Sequence, residues 1–116
     1  MNALKNKVQV IGRLGVDPIV KTFEVGKCMA RFSLAVSENY KDKNGQWQSD
    51  TNWFNVVAWG GKAEYIEKNI AKGDQIMIQG KLISRSYDDQ EGIKRTSTEI
   101  VANDLMVIQL KDKKES

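Results

Sequence analysis

The sequence predicts an all-β fold, a single five-stranded barrel with one helix between its third and fourth strands. Three observations carry this expectation. Apolar residues fall in short runs with a two-residue period, most clearly Ala30, Phe32, Leu34 and Val36 interleaved with Arg31, Ser33, Ala35 and Ser37. Asn44-Gly45, between two such runs, is a strong hairpin signal because both residues tolerate positive φ. Only residues 62–72 show helical spacing, with Ala63, Ile66 and Ile70 on one side and Gly73 placed to end the helix.

In chain order, residues 8–14 open the fold as a strand, with Gly12 a bulge or a point of close backbone approach. Gly15 and Pro18 mark a turn, and residues 19–25 form a short extended arm that Gly26 breaks. The alternating run then climbs to a type I′ turn at Asn44-Gly45, whose polar flanks put the tip in solvent, and residues 51–59 return. After the helix, residues 75–87 and 94–108 form two more strands around a polar loop at 88–92. Residues 1–108 make one domain, and 109–116 a charged tail with nothing to bury. Three strands, a helix and two strands in an antiparallel meander is the order of the OB-fold; a sheet packed on one helix is the alternative architecture.

Composition narrows the chemistry. At 116 residues the chain holds one domain and is too short for two ordinary ones. Eighteen Lys and Arg against fifteen acids leave a net charge of +3, a mild bias toward a polyanionic partner. With no His, the commonest general base and metal ligand is missing, and the single Cys28 permits neither an intrachain disulfide nor a CxxC zinc site. No cofactor or metal is expected. No apolar run reaches the ~18 residues of a membrane span, and the N-terminus lacks a signal-peptide core, so the expected location is cytoplasmic.

The most informative segment is Thr51-Asn52-Trp53-Phe54-Asn55-Val56-Val57-Ala58-Trp59. Strand parity puts Phe54, Val56 and Ala58 on one face and Trp53, Asn55, Val57 and Trp59 on the other. Taken alone, the two indoles fit an outward binding face, a cap on the core, or an oligomer interface. The strand at 75–87 adds a second hint. Ile76, Ile78, Gly80 and Leu82 form its core-like set, and Lys81, Arg85 and Tyr87 share the opposite side with Met77, Gln79 and Ile83. Arg31 also faces away from the Phe32 set, and Tyr40, Lys41 and Lys43 continue the theme near the hairpin. Rings interleaved with cations suit single-stranded nucleic acid, because unpaired bases stack on aromatics while Lys and Arg follow the phosphates.

Several motifs in fixed order resemble the bacterial-type single-stranded DNA-binding proteins over about residues 5–108. They are Asn6-Lys7-Val8, Gly12-x-Leu14-Gly15-x-Asp17-Pro18, Phe32 to Glu38, Trp53-Phe54-Asn55-Val56-Val57, Lys72-Gly73-Asp74 and Gly80-Lys81-Leu82. The resemblance implies sequence-tolerant binding of single-stranded DNA during replication, recombination and repair, without catalysis, by a nucleoid-associated homotetramer wrapped by its ligand. It assigns base stacking to Tyr40, Trp53, Trp59 and Tyr87, and backbone contacts to Lys7, Lys21, Lys41, Lys43, Lys62, Lys72 and Arg85. Asn55, Ile83 and Ala71 stand where relatives often carry a basic residue. Relatives also continue into a Gly/Pro/Gln-rich linker and an acidic tip that recruits replication and repair enzymes. This sequence closes on Lys114-Glu115-Ser116, the pattern of a naturally short or a truncated form without that tip.

Two other readings compete. A primosomal-type OB-fold adaptor in replication restart shares the fold, but the four-ring set favours direct contact with DNA. A Mg²⁺-dependent nuclease centred on Asp88, Asp89 and Glu91 would need ligands converging from rigid elements, whereas these sit in one loop. Cys28 as a nucleophile has no His to activate it.

Overall fold

Period-two patterning becomes six strands and one helix in the computed structural model, which describes residues 5–24 and 27–110. The elements are β1 (Val8–Leu14), β2 (Ile19–Glu24), β3 (Lys27–Lys41), β4 (Trp47–Trp59), α1 (Gly61–Asn69), β5 (Gln75–Asp88) and β6 (Lys94–Gln109). Five strands close a barrel in the order β1-β5-β6-β4-β3, and a β1–β3 pairing at Arg13↔Ala35 and Leu14↔Leu34 seals it. The arm expected at residues 19–25 becomes β2, an edge strand on β3. The break at Gly26 and the tail at 111–116 lie outside the described residues.

Two pairings depart from an antiparallel meander: β1 pairs with β5, and β4 pairs with β6 instead of β5. β6 runs parallel to β4 through Asn55↔Glu99, Val56↔Ile100 and Val57↔Val101. A parallel neighbour needs a long crossover, and α1 with β5 supplies it. Inside the barrel, Phe32, Leu34, Val56, Ala58, Ile76, Ile78 and Ile100 pack together, and Ala63, Ile66 and Ile70 close one end. Val57 is also buried although it has outward parity; it lies between Arg31 and Val101 in the ladder. Gly12 and Gly80 let the strands curl. A Cβ on Gly12 would stand 2.3 Å from the Ala35 carbonyl oxygen, and one on Gly80 only 2.0 Å from that of Val101.

The ends of the elements differ from the sequence reading in instructive ways. α1 stops at Asn69 because Ile70 adopts φ −126° to bury its side chain, so Gly73 ends no helix. Gly73 instead takes φ 91° in a turn where Ala71 N–H donates to Asp74 Oδ2. Leu82 has core parity, opposite Ile100, yet is 42% exposed. β1 pairs with β5 only as far as Val8↔Gly80, so no strand covers Leu82, and the Asn6 side chain bonds its backbone N–H and carbonyl instead.

Beyond the barrel, β3–β4 and β5–β6 continue as two-stranded arms with matching tips. The first is not a type I′ turn on Asn44-Gly45. Gly45 N–H donates to the Asp42 carbonyl and Asp42 N–H to the Gln46 carbonyl, centring the turn on Lys43-Asn44 with Gly45 at φ 77°. Asp42 Oδ1 accepts from the N–H groups of Asn44 and Gln46, and Oδ2 from Gln48. The second tip repeats this with Asp89, Gly92 at φ 80°, the N–H groups of Glu91 and Ile93, and Arg95. Asp89 is therefore committed to shaping its loop.

Gly12→Ala and Gly80→Ala should each destabilise the fold by about 1–3 kcal/mol or more, since backbone must move to admit the methyl. Gly61→Ala, with open space around its Cβ position, should be neutral or slightly stabilising in urea unfolding. The tips make a separate prediction. Asp42 is held below the ordinary 3.8 by the Gln46 N–H and then the Gln48 amide, and Asp89 by Arg95 and then the Ile93 N–H. A carboxylate lowered in this way stabilises its turn above about pH 3.8, and that contribution disappears as pH falls through the lower folded value. Amide exchange at both tips should therefore accelerate below pH 3.8 before the barrel itself opens.

Candidate nucleic-acid interface

Residues paired across a ladder project from the same side of the sheet, so register defines the outer face. One row runs Ile19–Arg31–Val57–Val101–Lys81 across β2, β3, β4, β6 and β5. The next runs Ser33–Asn55–Glu99–Ile83. Trp53 flanks these rows opposite Ala35, Trp59 opposite Met29, and Arg85 and Tyr87 continue along β5. The register thus brings Lys21, Arg31, Trp53, Trp59, Lys81, Arg85 and Tyr87 onto one continuous surface.

The rings stand outward: Trp53 is 61% exposed, and Trp59 and Tyr87 are each 49%. The two indoles are nevertheless held. Trp53 lies over Gly15, where a Cβ would come within 2.5 Å of the indole. Trp59 stacks on Phe23 of β2, with centroids 6.1 Å apart and planes at 27°. Phe23 is itself 58% exposed and lies at the register shift between Thr22 and Glu24, and its stacking on Trp59 extends the aromatic surface onto the edge strand. Sequence reasoning passed over Phe23, although its alternation with Lys21 and Ile19 was the available signal.

Other candidates are placed differently. Tyr40 pairs with Gln48 in an unbroken β3–β4 register, so it projects from the opposite side of the arm to Trp53. The outward residues there are Lys41 and Trp47, with Lys41 Nζ 5.4 Å from the Trp47 ring centroid, and Lys43 sits in the tip. Trp47 joins the same side as Trp53 because β4 begins eight residues before Asn55, at Trp47 itself. Lys62 lies in the first turn of α1. Lys72 follows the helix, its backbone N–H held by Asp17 Oδ1. Lys7 is exposed just before β1, beside the Asn6 that binds Leu82. These last three stand outside the two rows.

The arginines are not free. Arg31 Nη1 donates to Glu99 Oε2 at 2.5 Å, and Arg85 Nη2 lies 3.5 Å from Glu99 Oε1. The Lys81 side chain, by contrast, is exposed and makes no hydrogen bond or ion pair among the described residues.

Residues 5–108 match the model of the single-strand binding protein family. The chain is 42% identical over 108 residues to single-stranded DNA-binding protein 1 of Chlorobaculum tepidum, covering 92% of this chain and 67% of that one. It is 39% identical over 103 residues to the single-stranded DNA-binding protein of Neisseria meningitidis serogroup B, and there it spans 59% of the relative's length. Among solved structures, the Plasmodium falciparum SSB in complex with ssDNA superposes with a TM-score of 0.81 at 31% identity, covering 90% of this chain and 95% of that one. The small single-stranded DNA-binding protein of Streptomyces coelicolor gives 0.73 at 31% identity, covering 88% and 93%.

Gly15→Ala should push the Trp53 ring aside at a cost below about 1 kcal/mol, because a side chain rather than backbone yields. A changed indole environment in near-ultraviolet circular dichroism, with an unfolding midpoint close to the parent, is the expected pair of results.

Proposed function

The chain belongs to the single-strand binding protein family, and we propose that it binds single-stranded DNA without sequence preference, by stacking bases on outward rings. The observation that supports this reading most is the exposure of Trp53, Trp59 and Tyr87 on one face whose core is complete without them. Every base has a π-face, so such rings accept any sequence, and a duplex keeps its bases stacked on each other and out of reach. Tyr40, Trp47 and Lys41 extend the contact onto the β3–β4 arm, whose two sides both carry aromatics. Lys7, Lys21, Lys43, Lys62, Lys72, Lys81, Arg31 and Arg85 supply cations for the phosphates.

On this reading the protein covers exposed strands at the nucleoid during replication, recombination and repair. It works as a homotetramer, and an apolar row on the outer face of β1, β5 and β6 suits self-association. Ile11, Met77 and Met106 are direct ladder neighbours there, and Ile11 and Met106 are exposed together with Ile108 and Leu110. No described helix is long and apolar enough to cross a membrane.

Titration with dT oligomers of increasing length, read by tryptophan fluorescence and by mass, tests ligand, stoichiometry and assembly together. Quenching on a tetramer is expected; a dimer with weak dT affinity would contradict the proposal and fit an adaptor. Trp53→Ala and Trp59→Ala should each weaken binding by ~1–3 kcal/mol with the fold intact. Lys81→Ala should lower the slope of log K against log salt by about 0.7, the single-strand value for one phosphate.

A further inference from the structure

The centre of the proposed interface holds a charge of the wrong sign for its ligand. Glu99 is 3% exposed and occupies the row Ser33–Asn55–Glu99–Ile83, on the face that carries Trp53 and Tyr87. Its Oε2 accepts from Arg31, Arg85 faces its Oε1, and Oε1 accepts no hydrogen bond. Burying a carboxylate is costly unless it is well paired. Apolar substitutes for buried ion pairs are often neutral or stabilising, so packing does not account for an acid here. The barrel interior, moreover, is filled by other residues, and Glu99 is not among them.

We infer that Glu99 is a positioning residue for single-strand binding that aims Arg31 and Arg85 while cancelling half of their charge. Two guanidiniums share one carboxylate, leaving a single net positive charge on the cluster. Arg31 spends Nη1 on Glu99 and keeps its other N–H groups for the strand. A phosphate reaching either arginine meets an oriented donor whose charge is already partly satisfied. Fewer phosphates are fully neutralised, fewer counterions leave, and affinity depends more on stacking and less on salt. This inference rests on the single-strand-binding reading above.

The test is the salt dependence of dT-oligomer binding by the full chain, with folding checked by thermal unfolding. Glu99→Gln keeps an acceptor for Arg31 and removes the negative charge. It should bind more tightly at low salt, with a slope steeper by about 0.7 for each additional phosphate neutralised. A folded Glu99→Gln protein with an unchanged or shallower slope would overturn the inference. Should that variant not fold, the double variant Arg31→Gln/Glu99→Gln removes one cation with its counter-charge and leaves no buried charge unpaired. Its slope should equal that of the parent; a fall of about 0.7 would show Arg31 neutralising a phosphate on its own and sink the idea. Failure of the unsubstituted protein to bind dT defeats the function proposed above, and this inference with it. Binding by the parent, with an unchanged or shallower slope in a folded Glu99→Gln protein or a fallen slope in the double variant, defeats this inference alone.

Discussion

Closure of the barrel depends on two places where one strand presses against the backbone of another. At Gly12 and Gly80 the absent side chain lets β1 approach Ala35 and β5 approach Val101 more closely than any Cβ allows. With those approaches made, β1 seals against β3 and the inner face fills with Phe32, Leu34, Ile76, Ile78 and Ile100. Alternation then leaves every second residue of β3, β4 and β5 outside. The aromatic surface follows from that division, because a barrel this small is packed by one face of each strand and has no room for indoles.

On the proposed reading, the outer face combines two kinds of attraction that respond differently to their surroundings. Stacking of bases on Trp53, Trp59 and Tyr87 would be short-ranged and indifferent to ions, whereas attraction between cations and phosphates weakens as salt rises. Glu99 sits where the two meet. Two of these rings are also braced on one side, Trp53 by Gly15 and Trp59 by Phe23, so on that reading less of their side-chain freedom remains to be lost when a base arrives. The surface is thus preorganised by its neighbours rather than by burial.

Much of this was legible in the residues themselves. Alternation identified the inner sets of β3 and β4, the spacing of Ala63, Ile66 and Ile70 identified the helix, and motif order identified the family. What escaped was tertiary. The parallel β4–β6 pairing cannot be seen from either strand alone. Leu82 has the right parity for the core but lies past the end of β1, a fact about a strand seventy-odd residues away (Asn6 to Leu82 spans 76). Tyr40 was grouped with the outer rings by its nearness to the hairpin and not by parity; the register stays regular to Lys41↔Trp47, and the ring falls on the other side. Glu99 was readable in part, as an acid followed directly by Ile100, Val101 and Ala102, but only the fold brings Arg31 and Arg85 to it.

The paired aspartate tips bear on how such a protein can vary. Each cassette, Asp42 to Gln46 and Asp89 to Ile93, carries its own geometry in one carboxylate and one left-handed glycine, and borrows little from the barrel. The cassettes share one geometry, and the legs beneath them can lengthen or shorten while a cassette travels intact with its bracing side chain, Gln48 or Arg95. Side chains alternate along those legs, so a change of one residue per leg turns the cassette over, and only changes of two per leg preserve its aim. Growth of either arm is quantised, and drift in loop length becomes a discrete choice of which way the tip looks.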